Sequence, residues 1–118
     1  METFRFLKFK VYQDAKSYFK LILIISERIY SYSFKDQIRR AVLSIVLNIA
    51  EGSAKKSDAE FARFLEISLG SINEVVACLD IMKELNKINK KEYEDLLNSS
   101  EELAKQLGGF IKKLRNKS

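Results

Sequence analysis

The sequence has no histidine, no proline and no tryptophan, and holds one cysteine and four glycines in 118 residues. Without histidine, Ser-His-Asp and Cys-His nucleophile systems cannot be built, and the usual zinc sites lose their imidazole ligands. Di-iron sites of helical bundles need Glu-x-x-His pairs, so they are excluded too. Carboxylate-only metal sites need converging acids, whereas Glu51, Glu66 and Glu74 are scattered along the chain. The single cysteine, Cys78, rules out an internal disulfide framework and suits a reducing cytoplasm. Flanked by Val75 and Leu79, it reads as a buried structural thiol. Gly108-Gly109 lies inside a helical pattern and lacks the lysine context of a phosphate loop. The longest apolar run of the first helix, Leu21 to Ile25, is far short of the roughly 20 residues that span a bilayer. The opening METFRFLKFK mixes charge into its apolar residues and lacks a signal-peptide pattern. A non-enzymatic cytoplasmic protein with no catalytic residue, metal or cofactor is the expectation.

What is present is helical. The composition, 47% hydrophobic and 31% charged, is that of one folded domain, taken as residues 1–118. Periodicity near 3.6 runs throughout, with no sustained alternation that would argue strands. Helix one is expected over 8–31, on the stripe Val11, Ala15, Tyr18, Ile22, Ile25 and Ile29, with Leu21 and Ile24 forming a second apolar patch. Helix two is expected over 34–51, capped by Ser33 with Asp36 in its first turn, and with Gly52 in a left-handed C-terminal position. Helix three has a capping box, Ser57 with Glu60, and continues to about Leu85 through Phe61, Phe64, Leu65, Ser68, Ile72, Val75, Leu79 and Met82. Asn89 with Glu92 repeats that logic for helix four, whose interior glycines, Gly108 and Gly109, suggest a kink or a close helix contact. Four helices with short connections make antiparallel neighbours, hence an all-α up-down-up-down four-helix bundle.

Helix two is the most informative element. From Ala41 to Ala50 eight of ten residues are apolar, which is difficult to hide in so small a single chain and argues for oligomerisation. One polar stripe, Arg40, Ser44, Asn48 and Glu51, runs along it at spacings of four, four and three. Three readings compete for the stripe. In the structural one, Ser44 and Asn48 bond to Ser68 and Ser71 of helix three, small residues Gly70 and Ser71 let helix two approach, and Glu51 meets Arg39 or Arg40 of a neighbouring copy or the loop at Ser53. In the others the stripe lines a groove for a ligand, or an interface with a different protein.

A net charge of +5 and a pI near 9.3 permit contact with nucleic acid without establishing it. The candidate phosphate contacts are Arg39, Arg40, Lys55, Lys56 and Arg63, with Lys112 and Lys113 of the C-terminal run helping. Against this, loop lysines are usually only solvated, Glu60 and Glu66 are placed to neutralise Arg63, and cations are favoured at a helix C-terminus anyway. Tyr30, Tyr32 and Phe34 gather at the first corner, where they serve either stacking or packing.

The stretch Gln37 to Val75, QIRRAVLSIVLNIAEGSAKKSDAEFARFLEISLGSINEV, resembles the signature of the 23S rRNA intervening-sequence protein family of bacterial four-helix-bundle proteins. Its most specific part is Asn48-Ile49-Ala50-Glu51-Gly52, followed at family-like spacing by Phe61, Phe64, Gly70-Ser71 and Glu74; Phe9 to Tyr18 matches the family's opening segment. Val42-Leu43 and Val46-Leu47 are larger than members often carry, and the first connection lacks the proline often found there. The resemblance implies a bundle that assembles into a homo-oligomeric, pentameric ring. That architecture is similar to the basic pentameric accessory variability proteins of diversity-generating retroelements, which engage nucleic acid and a reverse transcriptase. The expected function is therefore a ring-forming protein associated with RNA through its basic residues. The alternative is an oligomeric scaffold that binds another protein without touching nucleic acid, and a weaker third is an enzyme built on an unrecognised carboxylate such as Glu51.

Overall fold

The computed structural model describes residues 3–116, which form a short 3-10 turn, Arg5–Lys8, and four helices: α1 Lys10–Ser26, α2 Tyr32–Ser53, α3 Asp58–Glu84 and α4 Lys90–Asn116. Among the described residues there is no strand. Successive helices run antiparallel in a bundle 46 Å long and 23 by 20 Å across. Links along its length fix that order: Arg5 reaches Ser53 at one end, Tyr18 meets Ser100 in the middle, and Arg28 meets Glu92 at the other end.

Local signals set most of the helix ends. Ser57 Oγ accepts the Glu60 amide at 3.1 Å to start α3. At the start of α4 the box is reciprocal: Asn89 Oδ1 accepts the Glu92 amide at 2.8 Å while the Asn89 amide donates to Glu92 Oε1 at 3.0 Å. Between them α3 closes with a Schellman motif. Asn86 takes φ of 59°, the Lys87 amide donates to the Met82 carbonyl at 2.9 Å, and the Asn86 amide donates to Lys83 at 3.0 Å.

Three boundaries differ from expectation. α1 stops at Ser26, whose hydroxyl donates back to the Leu23 carbonyl at 2.7 Å, and the chain then turns while Ile29 still plugs the core. α2 is capped by Ser31, not Ser33, through the Phe34 amide at 3.3 Å. α2 also continues through Ser53, so Gly52 is helical and not left-handed. Its requirement is space: a Cβ there would lie 2.7 Å from Phe64 Cβ and 3.0 Å from the Phe61 ring. Gly108 and Gly109 have nothing within 4 Å of where a Cβ would stand, so the close helix contact suggested for them is absent.

The expected α1 stripe is buried in full, and the core is completed by residues such as Ile38, Ile45, Ile49, Leu65, Leu79 and Leu107. α2 is less dependent on partners than its composition suggests. It packs between α1 and α3, and one chain buries Ala41, Val42, Ile45, Val46 and Ile49, leaving Leu43 and Leu47 as the large apolar side chains outside.

The core carries one polar pair between α1 and α4. Tyr18 and Ser100 hydroxyls lie 2.6 Å apart, and Ser100 also donates to the Leu96 carbonyl. Burial pushes the Tyr18 phenol up to about 12 from its ordinary value near 10. The raised folded value means that this group's stabilisation is fully present below the unfolded pKa and is lost as pH rises from about 10 through 12. A loss of about 2–3 kcal/mol is expected across that window, since each unit is worth about 1.4 kcal/mol. Denaturant titrations of wild type and Tyr18→Phe between pH 9 and 12 check it: the variant loses this component, and equal alkaline losses in the two proteins would contradict the assignment.

Candidate nucleic-acid interface

Antiparallel order brings the start of α1, the α2–α3 connection, the first half of α3 and the end of α4 to one end of the bundle. The segments at that end, 3–16, 48–68 and 105–116, hold eleven Lys and Arg against five Asp and Glu, a surplus of six. The remaining described segments, 17–47 and 69–104, hold nine against ten. Among the described residues the whole positive excess therefore sits at one end. Sequence reasoning placed Lys55, Lys56, Arg63, Lys112 and Lys113 among the candidates, and the fold brings these together. It missed Arg5, Lys8, Lys10 and Lys16 at the same end, although the up-down topology already implied that the first helix starts beside the last one's end.

The end is built on an aromatic floor. Phe61 is 2% exposed, stacks with Phe9 at 6.2 Å and meets Phe110 edge-on at 5.1 Å. Arg5 lies over Phe9 and Phe61 and donates twice to the Ser53 carbonyl, at 3.1 and 3.0 Å. This satisfies a carbonyl at the negative end of α2 and ties the N-terminal turn to the connection. Lys55 rests over the Phe64 ring at 4.8 Å. Glu66 pairs with Arg115 at 2.8 Å, and Glu60 is engaged with the Ser57 cap. Neither neutralises Arg63 as the sequence suggested. Among the described residues Lys55, Lys56, Arg63, Lys112 and Lys113 make no ion pair, and all except the half-buried Lys55 are exposed.

Arg39 and Arg40 do not join this group. Arg40 lies 15 residues before Lys55, about 22 Å along α2 at 1.5 Å per residue. Arg39 donates to Ser26 Oγ at 3.2 Å and pairs with Glu27, while Arg40 pairs with Asp36 one turn earlier at 3.1 Å.

Of the polar stripe of α2, Ser44 is the residue that bonds across the α2–α3 seam. Ser71 Oγ donates to Ser44 Oγ at 3.0 Å, and Ser68 Oγ to the Ile45 carbonyl at 2.9 Å. Asn48 turns inward on its own helix, donating to the Ser44 carbonyl at 2.8 Å and to Ser44 Oγ at 3.0 Å, not across to α3. Gln37 and Glu74 extend the seam with a further cross-helix bond. Arg40 and Glu51 point away from it and are exposed. Gly70, expected to let α2 approach, has nothing within 4 Å of its would-be Cβ and faces outward.

Elsewhere the side chains offer little reactive chemistry. Burial raises the Cys78 thiol above its ordinary value, with Glu74 adding to the shift, so the thiolate is disfavoured. Hydrogen bonds from Lys10 and Gln106 hold the Asp14 carboxyl below its usual range in an open groove of about 380 Å³ between α1 and α4. No group of three or more metal-ligating side chains gathers among the described residues, and no described helix is long and apolar enough to cross a membrane.

Fold and charge together define a class: a four-helix bundle with a quiet interior and one basic end. A family model described as 23S rRNA-intervening sequence protein matches residues 7–109, and the chain belongs to that family. A crystal structure of a protein of unknown function from the S23 ribosomal protein family of Bacteroides thetaiotaomicron VPI-5482 is similar, with a TM-score of 0.81 and 27% identity over 86% of this chain and 98% of that one. A comparison with curated proteins finds no match.

Proposed function

We propose that this chain is a non-enzymatic RNA-associated protein of the cytoplasm, whose basic end contacts phosphates and whose copies assemble into a ring. The observation that carries the reading is the segregation of the entire positive surplus to one end, six charges there against a deficit of one elsewhere. Unpaired cations on a rigid end lose little on meeting phosphate, and releasing condensed counterions drives such binding. Membership of a family named for ribosomal-RNA intervening sequences supports RNA as the polyanion. Retarded mobility of RNA that weakens steeply between 50 and 200 mM salt is expected, and salt-independent or undetectable binding would refute it.

The ring half of the proposal rests on the outer face of α2 and α3. Leu43 and Leu47 are 41% and 53% exposed, Ile67 and Ile81 43% and 47%, and Gly70 lies between the two isoleucines in sequence with open space before it. A glycine inside an exposed helix costs about 1 kcal/mol relative to alanine, and close approach by another backbone is a reason to keep it. A closed ring of identical copies would carry every basic end on one rim, multiplying the phosphate contacts. Leu43→Lys with Leu47→Lys should lower the mass in solution to that of one chain while helix content holds, because both positions lie outside the core. An unchanged mass by light scattering would remove this face from the assembly.

The scaffold alternative draws on the same apolar face, with a different protein in place of a second copy. Recovery of one stoichiometric protein after nuclease treatment, with no retained nucleic acid, would favour it.

A further inference from the structure

The basic end also holds an aromatic row that the phosphate reading leaves unused, with Phe4 exposed and Phe6 and Tyr12 half-buried beside it. Phe4 is 63% exposed and meets Phe6 edge-on at 6.4 Å; Phe6 meets Tyr12 edge-on at 4.9 Å; Lys16 lies over the Tyr12 ring at 5.0 Å. A core role explains Phe9 and Phe61 but not Phe4, whose ring stands mostly in solvent beside the Arg5–Lys8 turn. Aromatic rings in solvent are not rare here: Tyr30 and Tyr32 are 94% and 85% exposed. Those two stand at the opposite end, outside the segments that carry the surplus of six positive charges. Phe4 alone among the strongly exposed rings shares its end with the cationic surplus.

We infer that the Phe4–Phe6–Tyr12 row is a stacking platform, and that the ligand of the basic end is single-stranded RNA with unpaired bases, not a regular duplex. The inference rests on the RNA reading above. Every base has a face that can stack on a ring, so the platform selects strandedness and not sequence, while the surrounding cations hold the backbone. A duplex buries those faces between neighbouring pairs and offers only its phosphates.

The test compares affinity for an unstructured RNA oligonucleotide and for an RNA duplex of equal charge, across a salt series, in wild type, Phe4→Ala, Phe4→Trp and Lys112→Glu/Lys113→Glu. The inference predicts tighter binding of the single strand, a roughly five- to hundredfold loss for it in Phe4→Ala with the salt slope unchanged, and duplex affinity within about twofold. Phe4→Trp should keep the wild-type affinity, which separates stacking from loss of fold. Single-strand binding by Phe4→Ala equal to wild type, or a wild-type preference for the duplex, would overturn the platform. If the lysine variants still lose affinity in that case, the basic-end reading stands without it. Should wild type bind neither RNA, both fall. Tighter binding to phosphatidylserine vesicles than to RNA, abolished by Phe4→Ala, would overturn the inference in favour of a lipid surface.

Discussion

Phe61→Ala is expected to cost about 3–5 kcal/mol of unfolding free energy, the range for removing a fully buried phenylalanine. Phe61 is 2% exposed and is the hub of the basic end, in contact with Phe9 and Phe110 and lying beneath the Arg5 guanidinium. Its deletion leaves a cavity that Gly52 cannot fill, because glycine has no side chain to move into it. Against a typical total of about 5–15 kcal/mol, a loss of this size leaves the variant near its unfolding threshold. The damage should also be uneven. Hydrogen exchange at the start of α1, the α2–α3 connection and the end of α4 should accelerate before that around Arg28 and Glu92, which hold the far end by a separate ion pair at 2.8 Å. Urea titration yielding a loss under 1 kcal/mol, or exchange that rises equally at both ends, would show that the aromatic floor does not organise this region.

The second large effect concerns binding. Replacing Lys55, Lys56, Lys112 and Lys113 together by glutamate reverses four charges, none of them in an ion pair among the described residues. The fold should tolerate this. The costs are a cation–π contact over Phe64 and unfavourable charge in the last turns of α4, each a fraction of a kcal/mol to about 1 kcal/mol. RNA affinity should fall roughly a hundred- to a thousandfold at low salt, and the slope of log affinity against log salt should flatten by about 3, near 0.7 for each single-strand phosphate contact removed. A matched variant with Lys83, Lys87, Lys90 and Lys91 reversed at the other end keeps its affinity within a fewfold, because acids already balance bases there. Equal losses from both variants would mean that binding follows net charge and not its placement.

Much of this architecture was legible in the residues. The α1 stripe from Val11 to Ile29, the Ser57–Glu60 start and the Asn89–Glu92 box are short-range patterns whose physics acts within a turn or two, and each is found as read. The failures are those of context. Gly52 matches a terminal glycine by position, but the crowding by Phe61 and Phe64 that explains it comes from the next helix. α2 looks too apolar for a small protein because composition does not reveal how much of a helix two neighbours can cover. Arg39 and Arg40 are close to Lys55 in sequence and far from it in space, since a straight helix separates them. The basic end is a product of topology: residues 3–16 and 105–116 are the most distant in sequence and adjacent in the bundle. The seam bond between Ser44 and Ser71 lay within reach because both helices were readable, whereas the inward turn of Asn48 toward Ser44 depends on a rotamer that spacing does not specify.

Lysine-reactivity footprinting with and without a saturating RNA oligonucleotide tests the end-on placement of the ligand most directly. Acetylation is read residue by residue by mass spectrometry on the intact protein, so no variant is needed. Protection should concentrate at Lys55, Lys56, Lys112 and Lys113 and spare Lys87, Lys90 and Lys91. Protection that favours the latter group, or is spread evenly over the two ends, would contradict a nucleic-acid interface at the basic end of this bundle.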